Sequence, residues 1–254
     1  YYWGNSGSDG ARGVTCMNSN LYVTGYFRDT VDFKPGPFFE EHTAVAQHDV
    51  YLSKFDGYGD HLWTATWGGS CESYYQDVGT DVAVNSDGDV LVVGYFQGSA
   101  DFNPDPVGEN ILSSWGSTDA FINYLRSDGT YIGAGVWGGT GYDGALDLSV
   151  DSSNNVYVTG SFEGYSDFNP FGGVLYKNSN GESDAYLSKF HTETTFLVWD
   201  GASTWGGAED DSGSGVGVYD RGIYVTGSFE DTVDFDPGGG TEERTSVNWK
   251  KDIF

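Results

Sequence analysis

A Trp-Gly-Gly or Trp-Gly-Asn motif recurs four times along the 254 residues of this chain. The four tryptophans are 64, 70 and 68 residues apart and lie at Trp3, Trp67, Trp137 and Trp205. After each one come an aspartate, a short apolar run, a turn such as "NSDGD" and a segment such as "VYVTGSF". Since internal repetition at a fixed period reflects repeated architecture, the chain should consist of four similar structural units.

Each unit reads as four short strands. Its segments alternate apolar and polar residues, and Gly, Asn and Asp separate them, which is typical of strands joined by tight turns. Composition agrees, because 18 Tyr, 16 Phe and 8 Trp favour strands and 39 Gly favour turns. A four-stranded unit of this length cannot bury both faces alone, and radial packing of such units around an axis solves that problem.

The sequence therefore predicts an all-β fold, a β-propeller with four four-stranded blade repeats. We expect a single domain over residues 1–254, with repeats at about 3–66, 67–136, 137–204 and 205–254. The four tryptophans should be largely buried at equivalent positions between neighbouring blades. The last blade is incomplete in this chain, because only Ile253 and Phe254 follow Asp252.

The repeat also carries a family resemblance. The combination "WGG…D…VAVNSDGDVLVVG" with "DAYLSKF" resembles the bacterial SBBP β-propeller repeat, which is itself similar to NHL repeats. The resemblance covers essentially the whole chain in four copies. It implies a blade architecture and a secreted or cell-surface setting, with no shared catalytic chemistry. The family name refers to seven blades, so the blade number of the intact protein stays open.

The net charge excludes some partners. Eleven Lys and Arg against 38 Asp and Glu give a formal charge of −27. Such a surface repels phosphate backbones and anionic lipids, so we expect no nucleic acid partner and no membrane insertion. The negative charge has two interpretations. It forms an acidic surface that keeps the protein soluble, or it forms binding sites for divalent cations.

Two sets of aspartates recur at fixed places in the repeat. The first set precedes the phenylalanine of phrases such as "VDF" and consists of Asp32, Asp101, Asp167 and Asp234. The second set begins the third strand, 17 or 18 residues later, and consists of Asp49, Asp119, Asp184 and Asp252. Adjacent strands should bring both sets to one edge of each blade, where oxygen ligands without His or Cys favour Ca²⁺ as a cofactor. The alternative is that each aspartate only caps its own turn.

The leading hypothesis is a non-enzymatic extracellular or cell-surface propeller that acts as a structural or interaction module. A carbohydrate-binding, lectin-like propeller is the alternative, because aromatic residues in insertions and variable loops could stack on a glycan. These aromatic residues are Tyr74, Tyr75, Trp115 and Trp249. An acidic glycoside-processing enzyme comes third, since 38 carboxylates allow many pairs, although the sequence has no other catalytic motif.

The fourth repeat also predicts assembly. If the third and fourth strands are missing, the segment "IYVTGSF" has an open edge of N–H and C=O groups, which is a template for pairing. The chain could be a fragment, the missing strands could lie elsewhere in the protein, or a neighbour could complete the blade. For the last case we expect a homo-oligomer or a filament, because a head-to-tail contact either closes a ring or propagates.

Overall fold

In the computed structural model, the described residues are 3–34, 36–70 and 77–254, without the side chain of Trp249. Over these ranges the chain is all-β, with several antiparallel sheets and one short 3₁₀ turn at Val247–Trp249. No helix in the described ranges has the length and apolar character needed to cross a membrane.

The first repeat forms six strands, which we call unit 1. They are β1 (Gly10–Met17), β2 (Asn20–Phe27), β3 (Thr30–Asp32), β4 (Glu41–Thr43), β5 (Asp49–Phe55) and β6 (His61–Ser70). β1, β2, β5 and β6 pair in that order as an antiparallel meander. β3 and β4 form a short separate hairpin between the second and third strands of the meander.

Units 2 and 3 repeat this arrangement. Unit 2 contains β7 (Val78–Val84), β8 (Val90–Phe96), β9 (Ser99–Asp101), β10 (Ile111–Ser113), β11 (Asp119–Leu125) and β12 (Tyr131–Gly139). Unit 3 contains β13 (Gly144–Val150), β14 (Asn155–Asp167), β15 (Tyr176–Glu193) and β16 (Phe196–Trp205). In unit 3 the long strands β14 and β15 continue into the hairpin, so that meander and hairpin form one sheet.

Unit 4 has a shorter sheet. Its strands are β17 (Ser212–Tyr219), β18 (Gly222–Phe229), β19 (Thr232–Asp234), β20 (Glu243–Thr245) and β21 (Asp252–Ile253). β17 pairs with β18 along its length, whereas β21 pairs with Ser228 and Phe229 of β18, and Phe254 exchanges two backbone hydrogen bonds with Gly227. The rest of the second strand therefore has no third strand beside it within the described chain.

The hairpin inside each unit differs from the expectation. The sequence indicated a variable loop after the "VDF" phrase, whereas the structure has a two-stranded hairpin whose first strand ends at the aspartate of that phrase. Its second strand is only three residues long where it stands apart, as in "EHT" and "ILS". So short a strand gives almost no period-two pattern, and it was therefore not recognisable in the sequence.

Neighbouring units are joined in two ways. The end of β6 pairs with β9, and the end of β12 pairs with β14, so the Trp-Gly-Gly segment of one meander adds a strand to the next hairpin. In addition, the first strands lie side by side, β1 against β7, β7 against β13 and β13 against β17. The largest hydrophobic clusters therefore lie between units 1 and 2 and between units 2 and 3.

The four tryptophans make the same contact. Each packs edge-to-face on an aromatic ring in the following third strand or just after it, at centroid distances of 6.2–6.3 Å. The pairs are Trp3–Tyr51, Trp67–Phe121, Trp137–Tyr186 and Trp205–Phe254. Trp67 and Trp137 are buried as expected, whereas Trp3 and Trp205 are only partly buried. The difference arises because Trp3 lies at the open side of unit 1 and Trp205 packs on the short sheet of unit 4.

Candidate functional site

The first set of predicted ligands caps the hairpins. In each member one oxygen, Oδ1, accepts two backbone N–H groups across the hairpin loop. For Asp32 the donors are Lys34 and Glu40, both at 2.9 Å, and the same arrangement recurs at Asp101, Asp167 and Asp234. This is the turn-capping role that the sequence left open as the alternative to calcium.

The second set has a different environment. Asp49, Asp119 and Asp184 are only 3%, 0% and 1% exposed. In each, Oδ2 accepts the backbone N–H of the residue four positions earlier, at 3.0–3.2 Å. In all three, Oδ1 is buried and has no hydrogen-bond partner among the residues that the structure describes. Asp252 in unit 4 is more exposed, and its Oδ2 accepts the N–H of Val247 at 2.8 Å.

A third set of aspartates, which the sequence did not propose as ligands, approaches the second set. One such aspartate follows each Trp-Gly-Gly. Asp77 lies beside Asp49, Asp143 beside Asp119 and Asp211 beside Asp184. We call these three the junction pairs. The sequence shows that such an aspartate recurs after the tryptophan that begins each repeat. The sequence does not show which aspartates lie together, because that depends on the fold.

Backbone donors hold the third set in place. Oδ2 of Asp143 accepts the N–H of Gly139 at 2.8 Å, and Oδ1 accepts the hydroxyl of Ser166 at 2.8 Å. Asp77 and Asp211 likewise accept the N–H of the second glycine of Trp-Gly-Gly, at 3.1 and 2.6 Å. Each of these carboxylates is therefore fixed at the start of the next unit.

The first glycine of Trp-Gly-Gly lies against each junction pair. A Cβ atom on Gly138 would lie 2.9 Å from Oδ1 of Asp119 and 3.0 Å from Oδ2 of Asp143. Cβ atoms on Gly68 and Gly206 would collide with the carboxylates of Asp49 and Asp184. Glycine is required here because the carboxylates occupy the space of a side chain, and at Gly138 also because φ is 153°.

Burial raises the pKa of every aspartate in the junction pairs. The values are about 6 for Asp49 and Asp143, about 7 for Asp77 and Asp184 and about 8 for Asp119, and the pKa of Asp211 is also raised. The neighbouring carboxylate raises the pKa further, as Asp143 does for Asp119. Burial and mutual repulsion therefore favour a pair that has taken up a proton or that is neutralised by a cation.

A second kind of carboxylate pair links the first strands. Asp81 in β7 and Asp147 in β13 lie at equivalent β-bulges and hydrogen-bond to each other. Oδ2 of Asp81 accepts the N–H of Leu148 at 3.2 Å, and Oδ2 of Asp147 accepts the N–H of Val216 at 2.6 Å. Burial, followed by the bond from Asp147, raises the pKa of Asp81 to about 7. Sequence reasoning missed this pair, because only two of the four repeats carry the aspartate.

The loop aromatics are described only in part. Tyr74 and Tyr75 fall outside the described residues, as does the side chain of Trp249. Trp115 is 78% exposed and lines a groove of about 700 Å³ between the hairpins of units 2 and 3. Ile111, Val174 and Tyr176 line the same groove. An exposed indole in such a groove can contact a flat apolar ligand face.

Across the described part of the chain, no three His, Cys, Asp or Glu side chains form a cluster that could hold a metal ion by themselves. Any cation would therefore need main-chain carbonyls or water among its ligands, as calcium accepts in proteins.

The comparisons with known proteins give one informative match. No protein-family model matches the sequence. Over 216 residues the chain is 26% identical to an uncharacterized WD repeat-containing protein of Acanthamoeba polyphaga mimivirus. The match covers 75% of this chain and 14% of that protein, so the chain spans a small part of its relative.

Proposed function

We propose that this chain is a non-enzymatic, β-propeller-like repeat module that serves as a structural or interaction scaffold at the cell surface or outside the cell. The observation that carries the proposal is the tryptophan contact repeated at 6.2–6.3 Å between successive units. The first strands also follow one another in chain order, as blades around an axis would. The name of the mimivirus relative supports the same reading, since WD repeats are four-stranded propeller blades.

An experimental structure of the purified chain tests the architecture. We expect units 1 to 4 to be related by successive rotations about one axis, with β1, β7, β13 and β17 innermost. Two sheets packed face to face as a sandwich would refute the propeller. Turnover of a polysaccharide by the purified chain would refute the non-enzymatic role.

Self-assembly through unit 4 belongs to the proposal. In unit 1 the third strand pairs with the second from Leu21 to Phe27, whereas in unit 4 the third-strand segment contacts β18 only at Gly227–Phe229. Tyr224 of β18 is exposed, although its equivalent Tyr22 in unit 1 is buried. We propose that a second copy of the chain covers this edge with the open side of its unit 1, giving an oligomer or a filament.

Light scattering and electron microscopy over a range of protein concentrations test this assembly. Val14 is exposed on the open side of unit 1, so Val14→Lys should weaken association. Val107→Lys is the matched control, because Val107 is exposed in a loop of unit 2. A monomer at every concentration, or equal effects of the two variants, would exclude assembly through these faces.

Carbohydrate binding is the second candidate function, and the exposed Trp115 in its groove favours it. Binding to a glycan array should then fall at least tenfold with Trp115→Ala. It should not change with Tyr58→Ala, which removes an exposed ring in a turn of unit 1. Glycan binding that is insensitive to Trp115→Ala would exclude this groove as the site.

We also propose calcium as a structural cofactor. The formal charge of −27 favours bound cations, and the eight aspartates of the first and second sets are the ligands that the repeat suggests. The aspartates of the first set already accept hydrogen bonds from their own hairpin loops. The second set is therefore better placed to bind calcium.

A further inference from the structure

Within the described part of the chain, three buried carboxylate oxygens have no hydrogen-bond partner, and they occupy equivalent places. They are the Oδ1 atoms of Asp49, Asp119 and Asp184, each at the start of a third strand. A buried carboxylate oxygen without a partner is costly, and three equivalent ones are not an accident of one loop. Something that binds to carboxylate oxygens should therefore be part of the folded protein.

The second carboxylate at each place comes from the start of the next unit. Asp77, Asp143 and Asp211 are held by backbone N–H groups of Trp-Gly-Gly, so their positions do not depend on a ligand. In the middle pair, Oδ1 of Asp119 and Oδ2 of Asp143 both lie within 3.0 Å of the point where a Gly138 Cβ would be. Two oxygens from successive units thus converge at one buried place.

We propose that calcium binds at three equivalent sites, one at each junction pair: Asp49 with Asp77, Asp119 with Asp143, and Asp184 with Asp211. The inference deepens the proposed scaffold and rests on it, because each cation would fasten the third strand of one unit to the start of the next. The ligand chemistry is hard oxygen without His or Cys, which suits Ca²⁺ and not a transition metal. Main-chain carbonyls and water would complete the coordination.

Two further aspartates of the same kind have no counterpart among the described residues. Asp9 has the position of Asp77, Asp143 and Asp211, and its oxygens accept the N–H groups of Asn5 and Arg28. Asp252 has the position of Asp49, Asp119 and Asp184. Neither meets the opposite member of a pair within the described chain, so the proposal predicts three ions per chain and not four or five.

The proposal is tested by adding calcium to the full chain after treatment with a chelator. Binding is measured by calorimetry and by tryptophan-sensitised terbium luminescence. We expect saturation at three ions per chain and a higher Tm with calcium than with chelator. Asp119→Asn should lower the stoichiometry from three to two, and Asp184→Asn should do the same if the first variant does not fold. Asp128→Asn, in an exposed turn of unit 2, should leave three.

Other results would overturn the proposal. The absence of saturable binding would mean that the orphaned oxygens hold protons or water instead. Loss of an ion with Asp101→Asn, together with an unchanged stoichiometry in Asp119→Asn, would place the cation at the hairpins. Neither result would refute the proposed scaffold, which depends on whether the units are related by rotation about one axis. The calcium proposal and the scaffold proposal can therefore be refuted independently.

Discussion

Units 1 and 2 place the same kind of residue at the same position in opposite environments. Val82 in β7 is 3% exposed, whereas Val14, its equivalent in β1, is 62% exposed. Both residues follow the same bulge and pair with the second strand in the same register. Among the described residues, only those of unit 2 have a neighbouring unit on that side. A unit of this protein therefore does not bury its own face, because the adjacent unit does so.

Breaking a filled junction should have the largest effect. Trp137→Ala removes a ring that is 2% exposed and contacts Tyr186 and Phe190. We expect a loss of about 3–5 kcal/mol in the free energy of unfolding, measured by urea denaturation. The matched variant Trp3→Ala, at the open side of unit 1, should cost about 1–2 kcal/mol. Equal losses would mean that the two junctions are packed alike.

The repeat was predictable because it rests on residues that recur in all copies. The tryptophans, the "VDF" phrases and the alternating segments identified four units, and the structure has one meander for each of the first three. Contacts between units were harder to predict. Asp77 lies 28 positions after Asp49, and only the fold brings the two together.

Which carboxylates lie together depended on the fold. Asp32 and Asp49 were expected to reach one edge together, whereas in the structure Oδ1 of Asp32 accepts two N–H groups of its own hairpin and Asp77 lies beside Asp49. The hairpin could not be foreseen, because its second strand is too short to give a pattern. The partner of Asp49 comes instead from the segment after Trp67, since β6 carries the chain across to the next unit.

The glycine at the junction gives the next largest effect. Gly138→Ala would force a methyl group against the carboxylates of Asp119 and Asp143. We expect destabilisation of about 2–3 kcal/mol by chemical denaturation, as for other overpacked sites. Gly201→Ala in β16 is the control, because Gly201 has a similar φ of 149° but a Cβ there meets no atom within 4 Å, so this variant should lose less stability. Similar losses in both variants would mean that the backbone conformation decides, and not the carboxylates.

Stability should also depend on pH through the contact between the first strands of units 2 and 3. The pKa of Asp81 is about 7 in the folded chain, above its ordinary value of 3.8, so the fold favours the protonated acid. Its contribution is fully present below about pH 4 and is lost as pH rises to about 7. The measured quantity is the free energy of unfolding of Asp81→Asn minus that of the original chain. We expect this difference to be about 2 kcal/mol larger at pH 7.5 than at pH 4.

The control for this measurement is Asp128→Asn. Asp128 is exposed and accepts the N–H of Thr130, which lowers its pKa, so this variant should not reproduce the effect. If the stability difference between Asp81→Asn and the original chain is the same at pH 4 and pH 7.5, Asp81 does not carry a proton in the folded chain.

The smallest expected effect returns to the two valines. Val82→Ala removes two carbons from a filled junction and should cost about 1.5 kcal/mol, because each buried carbon contributes about 0.8 kcal/mol. Val14→Ala removes the same atoms from an exposed position and should change the free energy of unfolding by less than about 0.5 kcal/mol. Denaturation of both variants at low protein concentration measures the difference. If a second copy covers the open side of unit 1, the loss caused by Val14→Ala should grow with concentration toward that of Val82→Ala, because the partner would then bury Val14. A loss that stays small at every concentration would mean that Val14 remains in contact with water.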